Sequence, residues 1–212
     1  MRTTAARAIK ACHLFVPALL LSPGTALGHH FMDDALPQTF VQGLLSGLGH
    51  PLIGADHAAF IVAAGFLLAL VPCGLWGIFA LIAGSLVGAA LHLQGYNLPA
   101  GETGVALSVL LLGGLVIARR RIKLAWLAGG LALAGVLHGH AYAESIFGAE
   151  AAPLIAYLIG FSVIQFGVAT AAWLIHRHVN ARRERWTKPL SAALGATVGA
   201  VGIAFLAINL TS

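Results

Sequence analysis

From residue 52 onward the chain repeats one pattern: a long apolar run, then a short break of glycine, proline or charged residues. The runs cover 52–71, 74–93, 103–118, 124–142, 153–175 and 190–208. A hydrocarbon core about 30 Å thick needs roughly 20 helical residues to cross it, and each run has about that length. Inside lipid every backbone N–H and C=O must be paired within the protein, which leaves helices or closed barrels. Continuous apolar runs, without period-two alternation, select helices. The pattern therefore predicts an all-α polytopic membrane protein, a six-transmembrane-helix bundle occupying residues 29–212.

The residues ahead of the bundle read differently. Arg2, Arg7 and Lys10 form a basic start, His13 to Leu21 a short apolar stretch, and Ala26-Leu27-Gly28 a small-x-small site, which together predict a cleavable signal peptide over 1–28. The mature chain would begin at His29. Within the following segment, Phe40 to Leu48 is amphipathic and is expected to lie in the membrane interface. Cys12 belongs to the signal, so Cys73 is the one thiol of the mature chain and can form neither an internal disulfide nor a multi-thiolate metal site.

Composition agrees with a membrane protein: 59% of residues are hydrophobic, 9% are charged, and the mean hydropathy is +0.90. A net charge of +5 would suit a nucleic-acid partner only if it formed a basic surface. Instead, every Lys or Arg after the signal falls in two connections, Arg119 to Lys123 and Arg177 to Lys188. These lie on one side of a six-helix bundle. The positive-inside rule makes that side cytoplasmic, and places the mature N-terminus and the C-terminus outside. Nucleic acid is excluded as a partner; the lipid bilayer is the expected one.

Ionisable residues inside such runs are costly unless they are paired or hold an ion. The stretch His50-Pro51-Leu52-Ile53-Gly54-Ala55-Asp56-His57 opens the first run, and His92, His138 and His140 fall at the same outer level of later runs. Glu102 and Glu144 lie there too. On a straight helix His50 and His57 stand about 10 Å apart along the axis, too far to share an ion held at about 2.0 Å. Pro51 at the first helical turn would leave His50 in a non-helical segment able to fold back. His138 and His140 point about 200 degrees apart on an α-helix, whereas His140 and Glu144 share a face.

The expected metal ligands are therefore His50, Asp56, His57, His138, His140 and Glu144, with His29, His30, His92 and Glu102 in second rank. Imidazole with carboxylate suits a divalent transition ion, Ni²⁺, Co²⁺, Zn²⁺ or Cu²⁺. His176 and His178, among arginines, are expected to be solvated. Gly84 and Gly88, Gly195 and Gly199, and Ala192 and Ala196 have the small-xxx-small spacing that lets helices pack closely.

The stretch His50-Pro51-x-x-Gly54-x-Asp56-His57 resembles the HPxxGxDH signature of the HupE/UreJ family of membrane proteins. Glu102-Thr103-Gly104-Val105-Ala106-Leu107-Ser108 and His138-Gly139 follow in the family's order. One stretch departs from the pattern: where the family reads roughly HGxAHGxE, this chain has Tyr142 in place of the second His, and its carboxylate, Glu144, comes one position earlier. The resemblance implies a secondary transporter or permease in the bacterial inner membrane, taking a divalent metal from the periplasm, nickel first and cobalt next. It implies His50, Asp56 and His57 as key residues, and partners among hydrogenase or urease maturation proteins.

The alternatives are a b-type haem protein with histidine axial ligands, and a membrane metal-delivery accessory protein. Catalysis is not expected. No HExxH zinc-hydrolase motif and no GxxxxGK[ST] phosphate loop occurs in the chain.

Overall fold

Helices that keep their backbone hydrogen bonds internal can cross lipid singly, and all regular structure among the described residues, 36–99 and 101–211 of the computed structural model, is α-helical. The expected signal peptide and His29 and His30 lie outside those residues. The helices are α1 (Phe40–Ile53), α2 (Ala55–Leu68), α3 (Leu75–Leu93), α4 (Gly101–Ala118), α5 (Leu124–Glu144), α6 (Ala151–Arg182) and α7 (Glu184–Thr211). Each of α3 to α7 is long and apolar enough to cross a membrane. α1 and α2 pass that test only together, as a pair bent by 79°.

The first run thus departs from the expected single span over 52–71. Thr39 caps α1, its hydroxyl accepting from the Gln42 amide at 3.2 Å. α1, which contains the segment expected at the interface, packs along α6. Its glycines bring it onto α6, where a Cβ at Gly43 or Gly47 would collide with the carbonyl oxygen of Pro153 or Tyr157. Nor does Pro51 start a helix: it lies inside the last turn of α1, and the break falls at Gly54, whose backbone is extended (φ −69°, ψ 109°). Pro51 has no N–H to give to the preceding turn, which weakens the helix where it ends.

α2 is the centre of the bundle. Phe60, Ile61, Ala63, Ala64 and Leu68 have no exposed surface, as expected of a helix that is apolar all round and packed on every side. Around it, three pairs of helices close on glycines: α1 with α6, α3 with α5 through Gly84, Gly88 and Gly139, and α4 with α7 through Gly113, Gly195 and Gly202. Lipid gives no hydrophobic drive between helices, so backbone approach of this kind is the main source of packing energy. Ala192 and Ala196, expected in a packing seam, are exposed instead.

The basic connection expected over 176–188 shrinks to a break at Arg183, because α6 continues to Arg182 and α7 begins at Glu184. With 32 residues, α6 is about 48 Å long, well beyond the hydrocarbon thickness, so its arginine-bearing end projects past it.

Gly84 and Gly129 separate close packing from mere helix propensity. Gly84→Val would drive its side chain into the Ala132 carbonyl and is expected to cost about 2 kcal/mol or more. Gly129→Ala meets nothing within 4 Å and should gain about 0.5 to 1 kcal/mol. Thermal unfolding in detergent measures both.

Candidate metal site

The break at Gly54 creates the first part of the site. Asp56 and His57 begin α2, and Asp56 Oδ1 accepts the His57 backbone N–H at 2.8 Å, a carboxylate meeting the positive end of a helix. Both residues are buried, 4% and 8% exposed. The bend also brings the His50 and His57 ring centroids to 5.8 Å, closer than a straight helix permits. Gly54 is tight against this arrangement: a Cβ there would lie 2.6 Å from His57 Cδ2 and 3.2 Å from Asp56 Oδ1.

From His57 a chain of hydrogen bonds runs into the bundle. His57 Nδ1 lies 2.9 Å from His138 Nδ1 on α5, and His138 Nε2 lies 2.9 Å from Ser108 Oγ on α4. The Ser108 hydroxyl has one proton and gives it to the Val105 carbonyl at 2.7 Å, its shorter contact. His138 Nε2–H therefore donates to Ser108, His138 Nδ1 accepts, and His57 Nδ1–H donates to it. That tautomer leaves the lone pair of His57 on Nε2. His138 itself is fully buried, stacked on Phe60 at 3.9 Å, with both ring nitrogens engaged.

His140 faces elsewhere. α5 runs unbroken to Glu144, so the angle between His138 and His140 is kept, and the two rings join different neighbours. His140 Nε2 lies 2.8 Å from the Tyr96 carbonyl and 3.3 Å from His92 Nδ1, on the end of α3. His92, His140 and Glu144 each offer a ligand atom, all within 4.8 Å of one another. Ligands on one tetrahedral ion at about 2.1 Å stand roughly 3.4 Å apart, so modest side-chain rotation closes the set. Beside it is a cavity of about 210 Å³ lined by Asn97, Glu102, Leu137, His140 and Glu144.

The six expected ligands thus fall into two groups. His50, Asp56, His57 and His138 gather about 9 Å below the end of α5, counting the six residues from His138 to Glu144. His140 and Glu144 join His92 and, across the cavity, Glu102, both of them placed in second rank by the sequence.

Two residues escaped the sequence reading as parts of this site. Ser108 carries no ionisable signal of its own within the stretch Glu102 to Ser108. Tyr142, noted only as a departure from a pattern, lies 4.6 Å from His57 and 5.5 Å from His50 between ring centroids. Its spacing of four from His138 on one helix was the signal that could have found it. Deeper still, the Ser85 hydroxyl lies 3.1 Å from Gln165 Oε1, both fully buried.

Two substitutions test this geometry. Ser108→Ala removes the partner of a buried ring nitrogen and should cost about 1 to 3 kcal/mol in thermal unfolding, while Ser108→Thr retains most of it. Gly54→Ala is compatible with the backbone angles but displaces the His57 ring. Titration of the purified protein with divalent transition ions should show a 10- to 100-fold loss of affinity with little change in melting temperature.

Compared with known proteins, residues 17–205 match the family described as HupE / UreJ protein. Protein HupE of Rhizobium leguminosarum bv. viciae is 30% identical over 141 residues, which cover 60% of this chain and 74% of that protein. No solved structure matches.

Proposed function

This chain belongs to the HupE/UreJ family, and we propose that it is a permease for a divalent transition metal, nickel before cobalt, rather than an enzyme. The observation that carries this reading is the group formed by His92, His140 and Glu144, whose ligand atoms lie within 4.8 Å beside an aqueous-sized cavity. Two imidazoles and a carboxylate suit Ni²⁺, Co²⁺, Zn²⁺ and Cu²⁺ by ligand type. The family resemblance supports nickel and cobalt among them.

In this reading the ion first meets Glu102, Glu144, His140 and His92 at the outer end of the bundle. Their carboxylates offset the cost of removing a divalent cation from water. The ion then passes to His57 Nε2, with Asp56 supplying negative charge and His50 adjoining. His138 acts as a positioning residue: it fixes the His57 tautomer and does not ligate. A discontinuous helix with ligands at its break is the usual way a transporter places a site inside the membrane.

The orientation follows from charge. The arginine-bearing ends of α4, α6 and α7 face the cytoplasm and the histidine-bearing ends face the periplasm, in a bacterial inner membrane. Metal released inside would serve the maturation of a hydrogenase or urease.

Uptake by cells producing wild-type protein or variants, with nickel, cobalt, zinc and copper offered in turn, tests the proposal. His57→Ala should abolish uptake of the transported metal, a drop of about 100-fold at matched membrane expression. His140→Ala should mainly raise the metal concentration needed for half-maximal uptake. Equal uptake by wild type and His57→Ala for all four metals would refute it.

A further inference from the structure

The end of the bundle opposite the histidines holds a cavity of about 420 Å³. It lies between the C-terminal ends of α2 and α4, the last turns of α6 and the first turn of α7, and its polar lining is Arg119, Arg121, His176, Asn180 and Lys188. His176, expected to be solvated, is 2% exposed, with its ring edge-on to Phe66 at 4.2 Å. Neither of its ring nitrogens has a partner among the described residues, and the buried Nε of Arg119 has none either. A buried polar atom without a partner costs about 1 to 3 kcal/mol, and two of these are donors that an anion would satisfy: the Arg119 Nε–H and the one N–H of the neutral His176 ring.

Arg119 directly follows α4 with φ 48°, a left-handed conformation that usually falls to glycine or asparagine at a helix end. An arginine held there costs of order 1 kcal/mol in strain, and its side chain lines the cavity.

Charge decides what the cavity takes. Arg119, Arg121 and Lys188 bring three positive charges, and among the described residues no carboxylate pairs with any of them. The C-termini of α2, α4 and α6 offset part of this charge and the N-terminus of α7 adds to it, so the site stays net positive, with Arg119 partly buried and Arg121 and Lys188 exposed at its mouth. Such a site repels a divalent cation. It suits a compact, multiply hydrogen-bonding anion, and arginine's fork of N–H donors matches phosphate oxygens.

We propose that this cavity is a binding site for a phosphate-bearing anion. Arg119, Arg121 and Lys188 supply charge, and a ring N–H of His176 and the Asn180 amide supply further hydrogen bonds. Soluble phosphate and the headgroup of an anionic phospholipid of the cytoplasmic leaflet share this chemistry, since basic pockets between transmembrane helices on that side hold lipid headgroups. The site is independent of the metal reading at the other end.

Purified full-length protein in nonionic detergent tests it, titrated with phosphatidylglycerol and with phosphatidylcholine under native mass spectrometry, and with inorganic phosphate by calorimetry. Wild type should bind phosphatidylglycerol at least tenfold more tightly than phosphatidylcholine, which identifies a lipid headgroup, or bind inorganic phosphate, which identifies a soluble ligand. The Arg119→Gln/Arg121→Gln/Lys188→Gln variant should lose that binding at least tenfold. Arg120→Gln/Arg183→Gln/Arg185→Gln removes as much charge from positions outside the cavity and should retain it. Equal losses in the two variants would mean diffuse surface charge and overturn the site, as would wild type that prefers neither probe. If the first variant does not give a cooperative melting curve, Lys188→Gln and His176→Phe singly should each weaken binding about threefold, and unchanged binding in both overturns the proposal.

Discussion

Everything at the histidine-bearing end of this protein depends on how one broken helix is satisfied. In lipid an interruption exposes backbone donors and acceptors that water cannot reach. Here Gly54 serves both sides of the break: its N–H reaches the His50 carbonyl at 3.2 Å, and its carbonyl accepts from Ala58 at 2.9 Å. Asp56 takes the His57 N–H that α2 leaves over. The same carboxylate thus caps a helix and places a negative charge beside the His57 ring, 3.9 Å from its Nδ1. Capping and site chemistry are one interaction, so the break cannot be repaired without dismantling the site.

The remaining helices hold that break in place. α2 is enclosed on all sides, and the glycine-lined pairs around it bring backbones close enough that the positions of α4 and α5 are set against each other. Ser108 and His138 reach each other across that contact at 2.9 Å. The tautomer of His57 is therefore controlled from two helices away. The bundle is also polarised along its axis. Histidines and glutamates collect where α3 and α5 end and α4 begins; arginines and lysines collect at the other end, around a cavity of their own.

Much of the fold was legible beforehand because membrane helices announce themselves by composition. Five of the six expected runs are continuous helices, differing mainly at their ends. The first differs since a hydropathy average cannot see a bend: Ala55 to Leu68 is as apolar as a span but only 14 residues long, and it passes as a span only together with α1, from which it is bent by 79°. His176 was misjudged for a related reason. Its neighbours Arg177 and Arg182 suggested a loop, yet a helix can carry arginines past the membrane on one face and bury a ring on another.

The chain by itself determined that this is a helical membrane protein, which end is basic, and that His138 and His140 diverge by about 200 degrees, because lipid length, charge bias and helical pitch act locally. It also carried the stretch from His50 to His57 that marks its family. Only the tertiary structure decided which helices meet, and so which residues share a site. His138 joins His57 and Ser108, while His140 joins His92 and Glu144. Those pairings rest on contacts between segments as many as 81 residues apart, set by where glycines let backbones approach, and no periodicity along one helix encodes the identity of its neighbour.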